Sequence, residues 1–212
     1  KLVSILANDP NRTIRYFREM TLEMDDPDTI SRLLALNFPK SVAIALTTYT
    51  GEACWDINSY LRNNYKPRSE EYDIFKKLID WSLTYFNPVT TTELCRNERC
   101  SSDLNKIMKF YKKNVGRAIQ YPAYKSVSQD WKLETDRLMF KIKNLPEKSR
   151  AKDIRPLVNI VQPGRVEIEE EAVYKAETCF LIDAVDGGII TLSELSNCMD
   201  FQRLGSFFWT KD

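Results

Sequence analysis

The most unusual local feature of the chain is an acidic run, Glu167-Ile168-Glu169-Glu170-Glu171. If this run forms a strand, its two-residue period places Glu167, Glu169 and Glu171 on one face, with about 7 Å between successive members. Like charges held that close cost free energy unless a ligand or a cation compensates them. The run is therefore either a solvated acidic edge or a place where carboxylates act on a bound ligand.

Any catalytic chemistry in this chain has to proceed without histidine, because the sequence contains none. This excludes Ser-His and Cys-His nucleophiles, a histidine general base and a Cys/His zinc site. Carboxylates, hydroxyls, arginine, lysine and tyrosine remain. The five cysteines show no metal-ligand spacing, so we predict no metal site. Cys95 and Cys100 could form a disulfide in a secreted protein, and partly buried thiols are the alternative interpretation.

The composition is typical of a soluble globular protein, with 43% hydrophobic and 29% charged residues among 212. This length suits one ordinary domain or two small lobes that share a core. The formal net charge of +1 gives no global field that would favour nucleic acid or an anionic membrane. No apolar run is long enough to span a bilayer. The chain begins at Lys1 rather than at Met, which indicates a processed or partial chain.

The first third of the chain is predicted to be helical. Apolar faces occur on both sides of a stop at Asn37-Phe38-Pro39, and a further helix is predicted to begin at Thr50-Gly51-Glu52. Residues 69–86 form another amphipathic pattern, with Ser69 as its cap. A later group of basic residues is predicted to be the solvated face of a helix: Lys109, Lys112, Lys113 and Arg117.

From about residue 89 the pattern changes to short β-prone runs separated by Pro, Gly and Asn. Leu138, Phe140 and Ile142 recur at every second position, which is typical of a half-buried strand. A helical region followed by a series of strands favours an α+β fold over alternating βαβ units. The predicted strands are 118–124, 137–143, 154–161, 178–185, 188–192 and 206–210.

Four motifs in a fixed order carry a resemblance to a known family. Arg96 follows the helical region, Tyr124-Lys125-Ser126-Val127-Ser128 comes about thirty residues later, and the acidic run ends at Glu171. This order resembles the R-S-E layout of arginine-type mono-ADP-ribosyltransferases, both bacterial toxins and eukaryotic ectoenzymes. The fourth motif, Ala43–Gly51 followed by Ile57–Arg62, is similar to the family's pair of helices.

The resemblance implies an architecture and an activity. The expected fold is α+β, with a helical N-terminal region packed on a core of two small, roughly perpendicular β-sheets. Residues 1–212 would form a single domain, mainly helical over 1–88 and mainly β over 89–212. NAD would bind as a substrate in the cleft, and its ADP-ribose would pass to an accessible arginine of a target protein. We expect a monomeric, secreted or host-delivered effector that binds no nucleic acid.

The resemblance also assigns the residues that would bind NAD. Arg96 would bind an NAD phosphate and brace the site, as guanidinium groups do, with Asn97 beside it. Ser126 would hold the nicotinamide-side pocket in shape by hydrogen bonding, and Ser128 would support it.

Two carboxylates of the acidic run receive catalytic roles from the same resemblance. Glu171 would hydrogen-bond the nicotinamide ribose and stabilise the oxocarbenium-like charge that develops as nicotinamide leaves. Glu169 would orient the incoming guanidinium and take its proton, since arginine with a pKa above about 12 is a poor nucleophile. The turn at residues 162–165 would contact the target. Glu167-x-Glu169 is a second possible register for the same pair.

Three positions depart from the family pattern. Asn97 stands where the family usually has glycine, Val127 replaces the middle threonine of Ser-Thr-Ser, and Ala172-Val173-Tyr174 replaces the usual Val-Leu pair. Two alternatives to transfer therefore stay open. One is a catalytically inactive module whose acidic run binds a basic partner, and the other is an NAD glycohydrolase in which water replaces the protein acceptor.

A further alternative concerns residues 183–194, which partly resemble a calcium-binding EF-hand loop. Asp183, Gly188 and Glu194 match that pattern, but Val185 and Gly187 occupy positions that need oxygen ligands. The competing interpretation is a hairpin turn at residues 186–188 that joins two strands.

Overall fold

The computed structural model describes residues 1–98, 104–129, 138–161 and 171–204. These residues fall into two compact units. The helical unit comprises the described parts of 1–61, 65–87 and 154–168, and the sheet unit comprises those of 62–64, 88–153 and 169–212.

Seven of the described α-helices belong to the helical unit, and one of them, α5, extends one residue beyond it. A π-helical turn at Tyr49–Ala53 precedes α5, and a 3-10 turn at Leu83–Tyr85 follows α6. The helices are α1 Leu2–Ala7, α2 Phe17–Glu23, α3 Pro27–Ala35, α4 Lys40–Thr48, α5 Cys54–Arg62, α6 Glu70–Ser82 and α8 Arg155–Val161, with α7 Leu104–Lys113 in the sheet unit.

Local sequence explains where the helices begin and what they bury. The Asp26 carboxylate accepts the Thr29 N–H at 2.8 Å ahead of Pro27, and Ser69 Oγ accepts the Tyr72 N–H at 3.3 Å. The predicted cap at Ser69 is therefore confirmed. Helix α4 is buried over Val42–Leu46 and contacts α2, α3 and α6, so it forms the centre of the helical unit.

One predicted strand is wrong. Residues 154–161 contain helix α8 Arg155–Val161, which contacts α3 and α4 within the helical unit. A short apolar run does not distinguish a strand from a buried helix by periodicity alone. Pro156 is compatible with the first turn of a helix, where its missing N–H costs nothing. Ile154 and Leu157 are both buried, and their three-residue spacing fits a helix.

The sheet unit contains nine strands joined by hydrogen bonds into one mixed sheet, among the residues that the structure describes. Its order is β5-β6-β3-β1-β4-β8-β7-β2-β9. The resemblance implied two small, roughly perpendicular sheets; in the structure the ladders join the described strands into one sheet. The strands are β1 Glu93–Glu98, β2 Ala118–Tyr121, β3 Lys125–Ser128, β4 Leu138–Lys143, β5 Ala151–Asp153, β6 Glu171–Tyr174, β7 Thr178–Asp186, β8 Ile189–Glu194 and β9 Gln202–Arg203.

Most of the other predicted strands are confirmed. The predicted ranges 118–124, 137–143, 178–185 and 188–192 overlap strands β2, β4, β7 and β8, in that order. The range 206–210 lies outside the described residues. Helix α7 carries Lys109, Lys112 and Lys113 of the basic group that was predicted to form a solvated helix face, and its other face buries Ile107 and Tyr111. Arg117 of that group follows the helix and lies outside it.

A dense group of aromatic rings fills the core beneath the sheet. Tyr121 and Tyr174 each pack edge-to-face on Phe180, and Tyr111 packs on Phe140. The hydroxyl groups of Tyr111 and Tyr121 lie 2.6 Å apart, so each polar tip has a partner inside the core.

The connection between β4 and β5 is held by a buried group that we call the polar cluster, made of Asn144, Ser149, Tyr174 and Glu194. Asn144 Oδ1 accepts hydrogen bonds from Ser149 Oγ at 2.5 Å and Tyr174 Oη at 3.0 Å. The two oxygens of Glu194 accept the N–H groups of Leu145 at 3.2 Å and of residue 150 at 2.7 Å. The cluster therefore fixes both ends of the β4–β5 connection by hydrogen bonds.

A disulfide joins Cys179 on β7 to Cys198, 19 residues further along the chain. It lies close to the parallel pairing of β9 with β2. The sequence-based candidate pair was Cys95 with Cys100; Cys95 lies buried on β1, and Cys100 is outside the described residues. That pair stays a prediction.

None of the described helices is both long and apolar enough to cross a membrane.

Candidate active site

Three adjacent strands carry the predicted site residues that the structure describes. Strand β3 lies between β6 and β1, and both neighbours run antiparallel to it. Ser128 on β3 is the register partner of Glu171 on β6 and of Cys95 on β1. Because directly paired residues share a face, Ser128 and Glu171 project on the same side, with Cβ atoms about 5 Å apart.

The alternation of burial along β3 and β6 separates this face from the core. Ser126 and Ser128 are partly exposed, whereas Val127 between them is 4% exposed and belongs to the hydrophobic core. Glu171 is partly exposed, and Ala172 after it is fully buried. The hydroxyls and the carboxylate therefore share one less-buried face, as the two-residue period of a strand requires.

The register distinguishes the two serines. Ser126 pairs with Val173, and Ser128 pairs with Glu171. The sequence-based assignment gave Ser126 the principal role and Ser128 a supporting one. In the structure Ser128 is the hydroxyl directly across from the carboxylate, while Ser126 lies two residues away on the same face.

Arg96 lies near the middle of β1, where it pairs with Phe140 on β4. Its Nη1 donates a hydrogen bond of 2.6 Å to the main-chain carbonyl of Ser126. The guanidinium thus ties β1 to β3. Because Cys95 is the residue that pairs with Ser128, the alternation of β1 assigns Arg96 to the face opposite Ser128 and Glu171, and its long side chain reaches the main chain of Ser126. Two interstrand spacings, about 10 Å, separate the backbones of Arg96 and Glu171.

Lys125 is a buried cation next to the site that the sequence interpretation did not single out. It is 4% exposed, and its Nζ lies 4.2 Å from the ring centroids of both Tyr121 and Phe140. Contacts of an ammonium with ring faces are attractive when the group is desolvated. The signal in the sequence was a lysine between Tyr124 and Ser126 in a run that otherwise predicts buried residues.

The departures from the family pattern have structural explanations. The side chain of Val127 points into the core, so the hydroxyl that it lacks would not lie on the face of Ser126 and Ser128. Asn97 is an ordinary strand residue paired with Met139, and its φ is not in the left-handed region, so this backbone does not need glycine. Ala172-Val173-Tyr174 is buried and fills strand β6.

Other predicted site residues lie outside the described part of the chain. These are Glu167 and Glu169 of the acidic run and the turn at 162–165. Of the run, Glu171 is the member that the structure places, and it begins strand β6 as the strand interpretation predicts.

The segment that partly resembles an EF-hand is a hairpin. Strands β7 and β8 pair antiparallel up to Asp186 and Ile189, and Gly187 and Gly188 form the turn with φ of 51° and 90°. Glu194, the twelfth position of the supposed loop, uses both oxygens to accept backbone N–H groups. The hairpin interpretation is therefore confirmed.

No protein-family model and no characterised protein sequence matches the chain. Solved structures do. Plx2a, an ADP-ribosyltransferase toxin from Paenibacillus larvae, is 18% identical with a TM-score of 0.58, over 84% of this chain and 96% of that one. The C3 exoenzyme of Clostridium limosum is 17% identical with a TM-score of 0.59, over 84% and 94%.

A third similar structure is exoenzyme S from Pseudomonas aeruginosa, solved in complex with human 14-3-3 protein beta and bound to carba-NAD. It is 14% identical with a TM-score of 0.59, over 92% of this chain and 88% of that one. At these identities the likeness concerns the fold, and it confirms the α+β architecture predicted from the motifs. The chain therefore has the ADP-ribosyltransferase fold.

Proposed function

We propose that this protein is a mono-ADP-ribosyltransferase that uses NAD and modifies an arginine side chain of a target protein. The observation that carries the proposal is the alignment of Glu171 with Ser128 across β6 and β3, beside an arginine that hydrogen-bonds the same strand. This alignment occurs in a fold shared with ADP-ribosylating toxins. The proposal treats residues 1–212 as one functional unit.

The chemistry assigned to Glu171 is stabilisation of positive charge. As the bond between ribose C1′ and the nicotinamide nitrogen breaks, nicotinamide leaves with the electron pair and the ribose becomes oxocarbenium-like. A carboxylate fixed beside that carbon lowers the barrier, because it is already oriented when the charge develops. Pairing with Ser128 gives the carboxylate a neighbouring hydroxyl that can hold its orientation.

Two cations provide charge complementary to the NAD diphosphate. Arg96 is partly exposed, and a guanidinium can bind phosphate oxygens while keeping one hydrogen bond to Ser126. Lys125 adds positive charge from within the core, on the same strand as the serines. Asn97 follows Arg96 on β1 and completes the proposed NAD-binding set.

The arginine acceptor is the finer part of the proposal, and it depends on Glu169. In the transfer step a guanidinium nitrogen of the target forms a bond to C1′, and its proton passes to the Glu169 carboxylate. If water occupies the acceptor position, the same carboxylates make an NAD glycohydrolase. If the site does not turn over, the fold is an interaction module.

The activity is tested by nicotinamide release from NAD, measured with the wild type, Glu171→Gln and Glu147→Gln. Glu147 is an exposed residue of the β4–β5 connection and is not one of the proposed site residues, so its replacement is the control for loss of one carboxylate charge. We expect release by the wild type and by Glu147→Gln, and little by Glu171→Gln. Absence of release from folded wild-type protein would leave the inactive module as the better account.

Addition of agmatine, a small guanidine, separates transfer from hydrolysis. Faster nicotinamide release with agmatine indicates that a guanidinium is the preferred acceptor. Release that agmatine does not change indicates the glycohydrolase.

A secreted or host-delivered effector is the proposed setting. Two observations support it: the similar structures include toxins, and the Cys179–Cys198 disulfide fits an oxidising environment. The proposed partner is a target protein with an accessible arginine, and the proposed state in solution is a monomer.

A further inference from the structure

The helical unit contains an open cavity of about 290 Å³ at its N-terminal end. Its walls come from α1, the connection from residue 8 to residue 16, and the start of α2. Leu6 and Ile14 form a buried apolar floor. Three arginines line the cavity: Arg12, Arg15 and Arg18.

The positive charge of this cavity is largely uncompensated. The guanidinium groups of Arg12 and Arg18 make no hydrogen bond or ion pair with any residue that the structure describes. Arg15 faces Asp56 at 3.6 Å, beyond good hydrogen-bond distance, and 60% of its side chain is exposed. All three can therefore turn toward a ligand.

The acidic residues of the lining do not cancel this charge. The two oxygens of Asp9 accept the backbone N–H groups of Asn11 at 3.0 Å and Thr13 at 2.6 Å. Burial raises the pKa of Asp9, but these hydrogen bonds lower it by more, so its pKa lies below the ordinary value. The carboxylate is therefore occupied in holding the loop. Glu19 is then the other carboxylate of the lining, against three arginines.

The backbone of the same loop is strained. Arg12 and Tyr16 have φ of 49° and 58°, in the left-handed region that residues with a Cβ atom adopt at a cost. Both line the cavity, and Tyr16 is 50% exposed. Such strain concentrates at ligand sites, where the surrounding structure keeps a side chain in an unfavourable but useful position.

We propose that this cavity binds a phosphomonoester group, separately from the NAD site. Guanidinium groups match phosphate oxygens with paired, charge-assisted hydrogen bonds. The volume is near the lower limit of ligand pockets, so it accommodates a phosphate together with part of the ring that carries it. The exposed face of Tyr16 can pack against that ring.

The phosphomonoester could belong to a soluble molecule or to a lipid headgroup. Leu2 and Ile5 on α1 and Leu22 on α2 are exposed, so the helices that line the cavity also offer apolar side chains to a membrane surface. The chemistry at the arginines is the same in both cases, and the experiment has an arm for each source.

The first arm measures binding of inositol hexakisphosphate by calorimetry, with inorganic phosphate as competitor. The double variant Arg12→Gln, Arg18→Gln removes the two arginines without partners. We expect it to raise the dissociation constant by about tenfold or more, since each lost charge-assisted bond costs severalfold in affinity. The control is Lys112→Gln, Lys113→Gln, which removes two equally exposed charges from α7 and is expected to bind as the wild type does.

The second arm measures sedimentation with phosphatidylcholine vesicles that contain or lack a phosphatidylinositol phosphate. Binding that needs the phosphorylated lipid and the two arginines identifies a headgroup, while binding in the first arm alone identifies a soluble ligand. Equal weakening by both double variants would mean diffuse charge attraction and would overturn the proposal. Absence of binding by the folded wild type in both arms would also overturn the proposal. Circular dichroism checks that each variant is folded, and the single variant Arg18→Gln is measured in case the double variant is not.

Discussion

Two glutamates on strands of the same sheet have contrasting surroundings. Glu194 at the end of β8 is 3% exposed, and both of its oxygens accept backbone N–H groups. Glu171 at the start of β6 is partly exposed and lies across from a serine hydroxyl. The first carboxylate is committed to the loop that it holds, whereas the second borders solvent, where a substrate can reach it.

The largest expected effect is on catalysis. Glu171→Gln keeps the size of the side chain and removes the charge that the proposed transition state requires. We expect NAD cleavage to fall by about 10²–10³-fold, the usual loss on removing one preorganised electrostatic group. The melting temperature should stay close to that of the wild type, because the site borders solvent. A large drop in the melting temperature would place Glu171 with Glu194 as a structural residue.

The converse substitution is expected to act on stability. Glu194→Gln replaces one accepting oxygen by an NH₂ group that faces a backbone N–H, so a buried hydrogen bond is lost. We expect the free energy of unfolding, measured by urea denaturation, to fall by about 2 kcal/mol. Activity per folded molecule should be retained. Loss of activity without loss of stability would contradict the division of roles between the two glutamates.

A smaller effect is expected from restoring the middle hydroxyl of the serine motif. Val127→Thr places that hydroxyl in the hydrophobic core, since residue 127 points away from Ser126 and Ser128. We expect a destabilisation of about 1 kcal/mol in urea denaturation and no gain in NAD cleavage. A clear gain in activity would show that the hydroxyl reaches the site after all.

The smallest effect is the pH dependence that Glu194 contributes. Burial raises the pKa of this carboxyl above its ordinary value of 4.5, and the backbone hydrogen bonds from residues 150 and 145 offset only part of that rise. The folded state then holds the proton more tightly than the unfolded state. The resulting stabilisation is fully present below pH 4.5 and is lost as the pH rises through the folded-state pKa.

This is measured by urea denaturation of the wild type and of Glu194→Gln between about pH 4 and pH 8, a range that brackets the pKa of a buried carboxyl group. The stability of the wild type relative to the variant should decrease as the pH rises. A relative stability that increases with pH would mean that the hydrogen bonds outweigh burial.

Much of the fold could be predicted from the residues alone. The cap at Ser69, the stop at Asn37-Phe38-Pro39 and the alternation in β4 each depend on local chemistry, and each corresponds to an element boundary or face. Helix α8 was mistaken for a strand because its short apolar run fits both periods, and contacts with α3 and α4 decide it.

For the candidate site, the sequence predicts which strands carry its residues but not the register between those strands. Arg96, the serine pair and Glu171 can be selected from the sequence, because the resemblance depends only on residue types and their order along the chain. Which serine lies across from the carboxylate depends on how β3 and β6 align, and that alignment is set by long-range pairing. The polar cluster escaped prediction for the same reason, since the Glu194 carboxylate accepts the N–H of Leu145, 49 residues earlier in the chain.

The most direct test of the central claim is mass spectrometry of agmatine after incubation with NAD and either the wild type or Glu171→Gln. We expect ADP-ribosylated agmatine with the wild type, and at most a trace with the variant, while both remain folded. Equal product from both proteins would contradict the role of Glu171, and cleavage of NAD by the wild type without any agmatine product would contradict arginine transfer.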